Sequence, residues 1–243
     1  MSILVVSGTD TGVGKTVVTA AVAALAAARG SSVAVVKAAQ TGIGPGEPGD
    51  ADDVGRLAGI TDLHECARFP AALSPAAAAR LAGRTPVDLY EVAGTVRELA
   101  ETRRLVVVEG AGGLLVRFDD EGTTLADLAH TLGAQVLLVA RPDLGTLNHT
   151  ALTLEAMAHR GIDLAGVVIG SWPTEPDLAM RSNVRDLETL AARPLAGVMG
   201  AGAGTLHPAE FLGAARSALA PALGGTFDPG AFRAAHDPRS SAS

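Results

Sequence analysis

The residues whose types and spacing suit phosphate chemistry come early. Gly8-Thr9-Asp10-Thr11-Gly12-Val13-Gly14-Lys15-Thr16 lies between an apolar run, Ile3 to Ser7, and an alanine-rich helical pattern, Thr16 to Arg29. Glycines let such a loop fold into a nest of inward-facing N–H groups, the following helix adds its positive N-terminal end, and Lys15 adds a full charge. The expected guest is a triphosphate, with the Thr16 hydroxyl placed for the accompanying magnesium ion. The usual pattern, G-x-x-x-x-G-K-[ST], places glycine where this chain has Thr9. Gly8 lies one residue further out, so the loop is longer than the common P-loop.

Two further groups fall where α/β sheets bind ligands, at the carboxyl ends of strands. Val33-Ala34-Val35-Val36 reads as a strand that delivers Lys37, and Leu105-Val106-Val107-Val108 as a buried strand ending in Glu109. A carboxylate in that place is the Walker B arrangement, which holds magnesium directly or through water. Gly110-Ala111-Gly112-Gly113 follows it as a second glycine-rich turn. Between these landmarks, Ala39 to Gly49 reads as a mobile loop, and Asp50, Asp52 and Asp53 open a helix that ends at Gly59. Acids in a first helical turn also simply complement the helix dipole.

The elements that must position these groups alternate in type. Leu63 to Arg104 reads as helical packing without declared chemistry. The later units are a short helix from Thr123 to Leu132 capped by Thr123 or Thr124, strand Val136 to Ala140, helix Thr146 to Arg160, strand Leu164 to Ile169, helix Leu178 to Ala191, an apolar piece Leu195 to Val198, and helix Pro208 to Leu219. This alternation predicts a single-domain α/β fold of the P-loop NTPase type, a mostly parallel sheet with helices on both faces. Residues 1–224 are expected to form the domain and 225–243 a flexible tail, because Ala235 to Ser243 offer little to bury.

Composition narrows the partners. A net charge of −7, with 19 basic against 26 acidic residues, gives no basic field for nucleic acid or an anionic membrane. Cys66 is the single cysteine and has no internal disulfide partner. No basic segment precedes Ile3 and no apolar run is long enough to span a bilayer, so a soluble cytoplasmic protein is expected.

With these landmarks in place the chain resembles the dethiobiotin synthetase family. The lengthened loop from Gly8 to Thr16, Lys37 with Gln40-Thr41-Gly42, Glu109-Gly110-Ala111-Gly112-Gly113, and Leu144-Gly145-Thr146-Leu147-Asn148-His149 carry the resemblance from Ile3 to about Ile169. It implies an ATP-dependent cyclo-ligase that carboxylates 7,8-diaminononanoate with CO2 or bicarbonate and closes the ring to dethiobiotin in biotin biosynthesis. It further implies catalytic roles for Lys37, Lys15 and Thr11, and nucleotide contacts from Gly12, Val13, Gly14, Lys15, Thr16, Val17, Glu109, Gly170 and Ser171. Substrate contacts are implied for Thr11, Lys37, Thr41, Gly110, Leu147 and Asn148, the last two from the second subunit of a homodimer. The implied magnesium ligands are Thr16, Asp50 and Glu109; Asp52 and Asp53 lie close, and Asp50 is chosen because its spacing before the helix looks like the family's.

The chain also departs from that family. Ala38 stands where proline is usual, and Gly170-Ser171-Trp172 where asparagine usually serves the base. The late loop Gly197 to Gly204 lacks the usual pattern, so it is expected to be mobile or to need nucleotide to order it. A partitioning ATPase is the main competing reading, but it calls for a lysine five residues before Lys15, where this chain has Asp10. A small-molecule kinase calls for a basic lid, and Arg181, Arg185 and Arg193 are interleaved with acids instead.

Overall fold

The computed structural model describes residues 2–241. In chain order the elements are β1 (Ser2–Gly8), α1 (Lys15–Ala28), β2 (Val33–Lys37), β3 (Gln40–Thr41), α2 (Asp50–Ala58), β4 (Leu63–Glu65), β5 (Arg68–Phe69), α3 (Pro75–Leu81), α4 (Leu89–Thr102) and β6 (Leu105–Gly113). They continue with α5 (Leu125–Leu132), β7 (Gln135–Ala140), α6 (Thr146–His159), β8 (Leu164–Trp172), α7 (Leu178–Ala191), β9 (Gly197–Gly200), α8 (Pro208–Ala218) and α9 (Pro229–Ala235).

Apolar strands with no polar face must be covered on both sides, and that requirement sets the architecture. Val5, Val6 and Val106 to Val108 are each fully buried. They lie in a seven-stranded sheet of order β4-β2-β6-β1-β7-β8-β9, in which every pairing is parallel. One face carries α1, α2 and α8 through Val18, Leu25, Leu57 and Phe211, and the other carries α4 and α5 through Val92, Val96 and Leu128. The expected fold class is therefore observed. β1 lies between β6 and β7, so the chain leaves it in one direction for β2 and later returns on its other side at β7. That reversal opens a crevice at the carboxyl end of β1, where the glycine loop sits.

Local signals fix several boundaries. Gly59 ends α2 in the left-handed region at φ 67°. Thr124, one of the two expected caps, begins α5, and Asp127 Oδ2 accepts its backbone N–H at 2.8 Å. Other expectations are corrected. The stretch read as helical packing contains β4, which pairs with β2 in the register Val35↔Leu63 and Lys37↔Glu65. Only one of its three residues is apolar, so its hydrophobic pattern is too short to announce a strand. The loop read from Ala39 onward begins with β3, which pairs with β5 in a two-stranded parallel ribbon.

The C-terminal segment also differs from the flexible tail expected there. Asp228 caps α9 by accepting the Ala231 N–H at 3.0 Å, and Pro229 fills the first helical turn, where no amide donor is needed. Phe227 is buried, and Phe232 and His236 meet Trp172 edge-on, with ring centroids 5.2 and 5.0 Å away. The segment docks because two phenylalanines lie just upstream of the polar run that suggested disorder.

Candidate active site

The glycine loop adopts its shape through positive φ and close approach. Gly12 and Gly14 have φ of 72° and 98°. A Cβ on Gly14 would fall 2.6 Å from the Gly170 carbonyl oxygen, and one on Gly170 would fall 1.9 Å from that of Val13. The loop thus presses against β8, and Gly170 lets it do so. The Thr9 N–H donates to the Val139 carbonyl at 2.9 Å, extending the sheet contact of β1 by one residue. α1 follows at Lys15 with no side chain capping its N-terminus, which leaves its first amides to an anion.

Lys37, at the end of β2, and Glu109, in β6, are paired in register. Lys37 Nζ lies 2.7 Å from Glu109 Oε1 and 2.5 Å from Asp50 Oδ2, and donates to the Gly110 carbonyl at 3.1 Å. Burial lowers the affinity of this amine for its proton, but Glu109 and Asp50 outweigh that effect and hold the ammonium above its ordinary range. Thr16 Oγ1 donates to the same Glu109 oxygen at 2.9 Å. Lys15 lies nearby, its Nζ donating to the Asp10 carbonyl at 2.8 Å. Its burial, and next the charge of Lys37, bring its pKa down to about 8. Where the family usually has proline, Ala38 donates its N–H to the Glu109 carbonyl at 3.2 Å, a bond proline lacks the hydrogen to make.

The three acids at the start of α2 separate by what they touch. Asp52 Oδ2 accepts the Gly49 N–H at 2.7 Å and so closes the helix start. Asp53 lies 2.9 Å from Arg56. Asp50 alone of the three reaches Lys37. Its placement depends on Gln40, whose buried side-chain oxygen accepts the Asp50 N–H at 2.8 Å. Arg68, paired with Glu65 at 2.7 Å, ties down the intervening loop by donating to the carbonyls of Gly44 and Glu47.

Thr16, Asp50 and Glu109 are thus linked in one cluster, Thr16 through its bond to Glu109 and the two carboxylates through Lys37, and they offer one hydroxyl and two carboxylates. That donor set fits magnesium, which takes hard oxygen ligands and shares its remaining positions with water and phosphate. Among the described residues no three acidic, histidine or cysteine side chains are grouped so that they could hold a metal ion by themselves. A site completed by a nucleotide does not need one.

Thr11, Lys15, Lys37, Thr41, Asp50 and Glu109 line one open cleft of about 790 Å³. Gly12, Gly14, Thr16 and Val17 form its loop side. Gly110 serves by its carbonyl and by its lack of a side chain, since a Cβ there would fall 2.3 Å from Leu125. Ser171 lines an adjoining hollow of about 360 Å³ with Gly12, Val13 and Arg141. Leu147 and Asn148 lie outside the cleft at the start of α6, Asn148 exposed. The late loop is tied to α2, because Arg56 donates to the Gly204 carbonyl at 2.8 Å. Buried Asn183, which the sequence reading missed, donates to the Pro142 carbonyl at 2.8 Å and fixes the turn before α6. It sits in a polar helical stretch that gives no local hint of that contact.

Comparison with known proteins places this geometry in a family. A family model described as an AAA domain matches residues 2–200. Among solved structures, the cell division ATPase MinD of Pyrococcus furiosus superposes with a TM-score of 0.55 at 19% identity, covering 88% of this chain and 94% of that one. That likeness speaks for the fold alone. In sequence, the ATP-dependent dethiobiotin synthetase BioD of Frankia casuarinae is 65% identical over 98% of this chain and 100% of its own length. The enzyme of the same name from Streptomyces coelicolor is 58% identical over 98% and 100%. Both alignments cover nearly the whole of each chain, and the chain belongs to the ATP-dependent dethiobiotin synthetase family.

Proposed function

We propose that this protein closes the ureido ring of dethiobiotin from 7,8-diaminononanoate, CO2 and ATP. One amine adds to CO2 and loses a proton, giving a carbamate. A carbamate oxygen attacks the γ-phosphorus of ATP, ADP leaves, and a carbamic–phosphoric anhydride forms. The second amine then attacks the carbamoyl carbon, the C–O bond to phosphate breaks, and inorganic phosphate leaves as the amine gives up its proton. This sequence asks little covalent chemistry of the protein and much positioning and charge stabilisation.

The observation that carries the reading is the buried Lys37 ammonium, set between Glu109 and Asp50 beside the glycine loop. A permanently charged donor there suits the carbamate oxygen and the transferring phosphoryl group. Lys15 and the first amides of α1 would hold the phosphates, and Thr11 and Thr41 line the cleft where the diamine would lie. Magnesium held by Thr16, Asp50 and Glu109 would neutralise charge on the β- and γ-phosphates. Ser171 and the Gly170 backbone lie where the nucleoside would extend from the loop.

Leu147 and Asn148 would act from a second copy of the chain, with the free amides at the start of α6 receiving the substrate's tail carboxylate. Leu144 and Leu152 beside them are 81% and 57% exposed, an apolar surface suited to a homodimer. Among the described residues no helix is long and apolar enough to cross a membrane, and a cytoplasmic site of action fits these substrates. Product analysis tests the reading. Phosphate release that requires both the diamine and CO2, with a cyclic urea formed, is expected; a phosphorylated product would indicate a kinase instead.

A further inference from the structure

An acid within a triphosphate-binding loop is an electrostatic liability. Asp10 lies between Gly8 and Lys15, and its side chain is 49% exposed. One carboxylate oxygen accepts the Thr11 N–H at 2.7 Å. The other lies 3.2 Å from Nη2 of Arg141, the residue that follows β7. The same nitrogen donates to the Thr11 carbonyl at 3.5 Å. A single guanidinium nitrogen thus bridges the side chain of one loop residue and the backbone of the next.

Left unpaired, the Asp10 carboxylate would have two harmful options. It would repel an incoming triphosphate, or it would turn toward the Lys15 ammonium, which already rests on the Asp10 backbone carbonyl at 2.8 Å. Either outcome removes positive charge from the place where phosphate binds. Arg141 opposes both, because it cancels the charge and holds the carboxylate on the β7 side of the loop.

We propose that Arg141 is a positioning residue for nucleotide binding, acting through Asp10 to keep Lys15 available and the loop cationic. The proposal rests on the reading of the loop as a nucleoside triphosphate site. An ion pair this exposed adds little to fold stability, so its effect belongs in ligand affinity.

The test is a double-mutant cycle on the full chain, with the dissociation constant of magnesium–ATP read by titration calorimetry. Arg141→Met is expected to weaken binding about tenfold, with kcat changed much less than the KM for ATP, as expected when a nearby charge is uncovered. Arg141→Lys should restore most of the affinity. Adding Asp10→Asn to Arg141→Met should also restore it, to within about threefold of the wild type. The asparagine oxygen can still accept the Thr11 N–H. A double variant as weak as Arg141→Met overturns the proposal, since Arg141 would then act on the nucleotide or the fold directly. An unaffected Arg141→Met overturns it as well. A wild-type chain with no affinity for ATP would overturn the nucleotide reading and this proposal with it. Melting midpoints of these three variants and of Asp10→Asn alone, the remaining corner of the cycle, identify a folding defect, and the rescue by Asp10→Asn is the outcome a merely structural role would not produce.

Discussion

Lys37 and Glu109 face each other in register across adjacent parallel strands, with Nζ and Oε1 2.7 Å apart and both side chains almost fully buried. Asp50 approaches the same ammonium from α2 at 2.5 Å. One cation thus holds together two acids that would otherwise repel each other.

This arrangement separates turnover from nucleotide binding. Lys37→Ala removes the charge facing the carbamate but leaves the glycine loop, Lys15 and Thr16 in place. A loss of kcat of about a hundredfold or more is expected, with the affinity for magnesium–ATP changed only a few-fold. The variant also leaves the buried Glu109 carboxylate without its ion partner, a cost of about 3–5 kcal/mol, so its melting midpoint should fall. Single-turnover ring closure and calorimetric ATP binding on the same preparation check both parts. Unchanged turnover would remove Lys37 from its role.

The three acids of α2 should give three different results. Asp50→Asn removes the carboxylate nearest Lys37 and should raise the magnesium concentration needed for half-maximal activity by about tenfold. Asp52→Asn weakens the helix start and should cost about 1 kcal/mol of stability without that shift. Asp53→Asn, at a residue that lines the cleft but pairs with Arg56 rather than Lys37, should leave the magnesium requirement unchanged. Gln40→Ala is a useful fourth arm, because it leaves Asp50 chemically intact while removing the oxygen that accepts its N–H. A smaller rise in magnesium requirement there would show that the placement of Asp50 matters. A magnesium titration of all four variants decides among them.

Lys15 should make nucleotide binding depend on pH. Burial, then the charge of Lys37, lowers its pKa from 10.5 to about 8, while Glu109, Asp50 and Asp10 pull in the other direction. The triphosphate binds the charged form. Affinity is therefore highest below pH 8 and is lost as pH rises through that value, by up to about tenfold per unit for one proton. Calorimetry near pH 8 in buffers of different ionisation enthalpy should reveal proton uptake on ATP binding. Lys15→Arg, which stays charged, should flatten this alkaline limb even where its shape weakens binding overall.

Much of this site was legible because it is local. The loop from Gly8 to Thr16 signals itself through glycine, lysine and threonine at fixed offsets, and Lys37 and Glu109 each follow an unbroken apolar run. The choice of Asp50 over Asp52 and Asp53 rested on resemblance, although Asp52 occupies the third helical position from which a carboxylate closes a helix start. What stayed hidden is non-local. Arg141 meets Asp10 across 131 residues of chain, and Arg68 meets the Glu47 carbonyl across 21. β4 exists only because β2 offers it an edge to pair with. No pattern in one stretch can report a partner supplied by another.

The docked C-terminal segment gives the last prediction, and it carries its own probe. Trp172 is the only tryptophan in the chain, lies at the end of β8 beside Ser171, and is 8% exposed. Phe232 and His236 cover its ring, and Phe227 packs in the same cluster. Ending the chain after Gly224 would strip these contacts and leave an aromatic surface open to water. Loss of one well-buried phenylalanine and part of another should cost about 2–4 kcal/mol. For a domain of this size that lowers the melting midpoint by roughly 5–15 °C. The tryptophan emission should shift to the red in the truncated chain, and Phe232→Ala alone should reproduce part of both changes. If emission and midpoint both stay where they are in the full chain, the segment does not cover Trp172 in solution. If both move while ATP affinity holds, the aromatic cluster stabilises the end of β8 without serving the nucleotide directly.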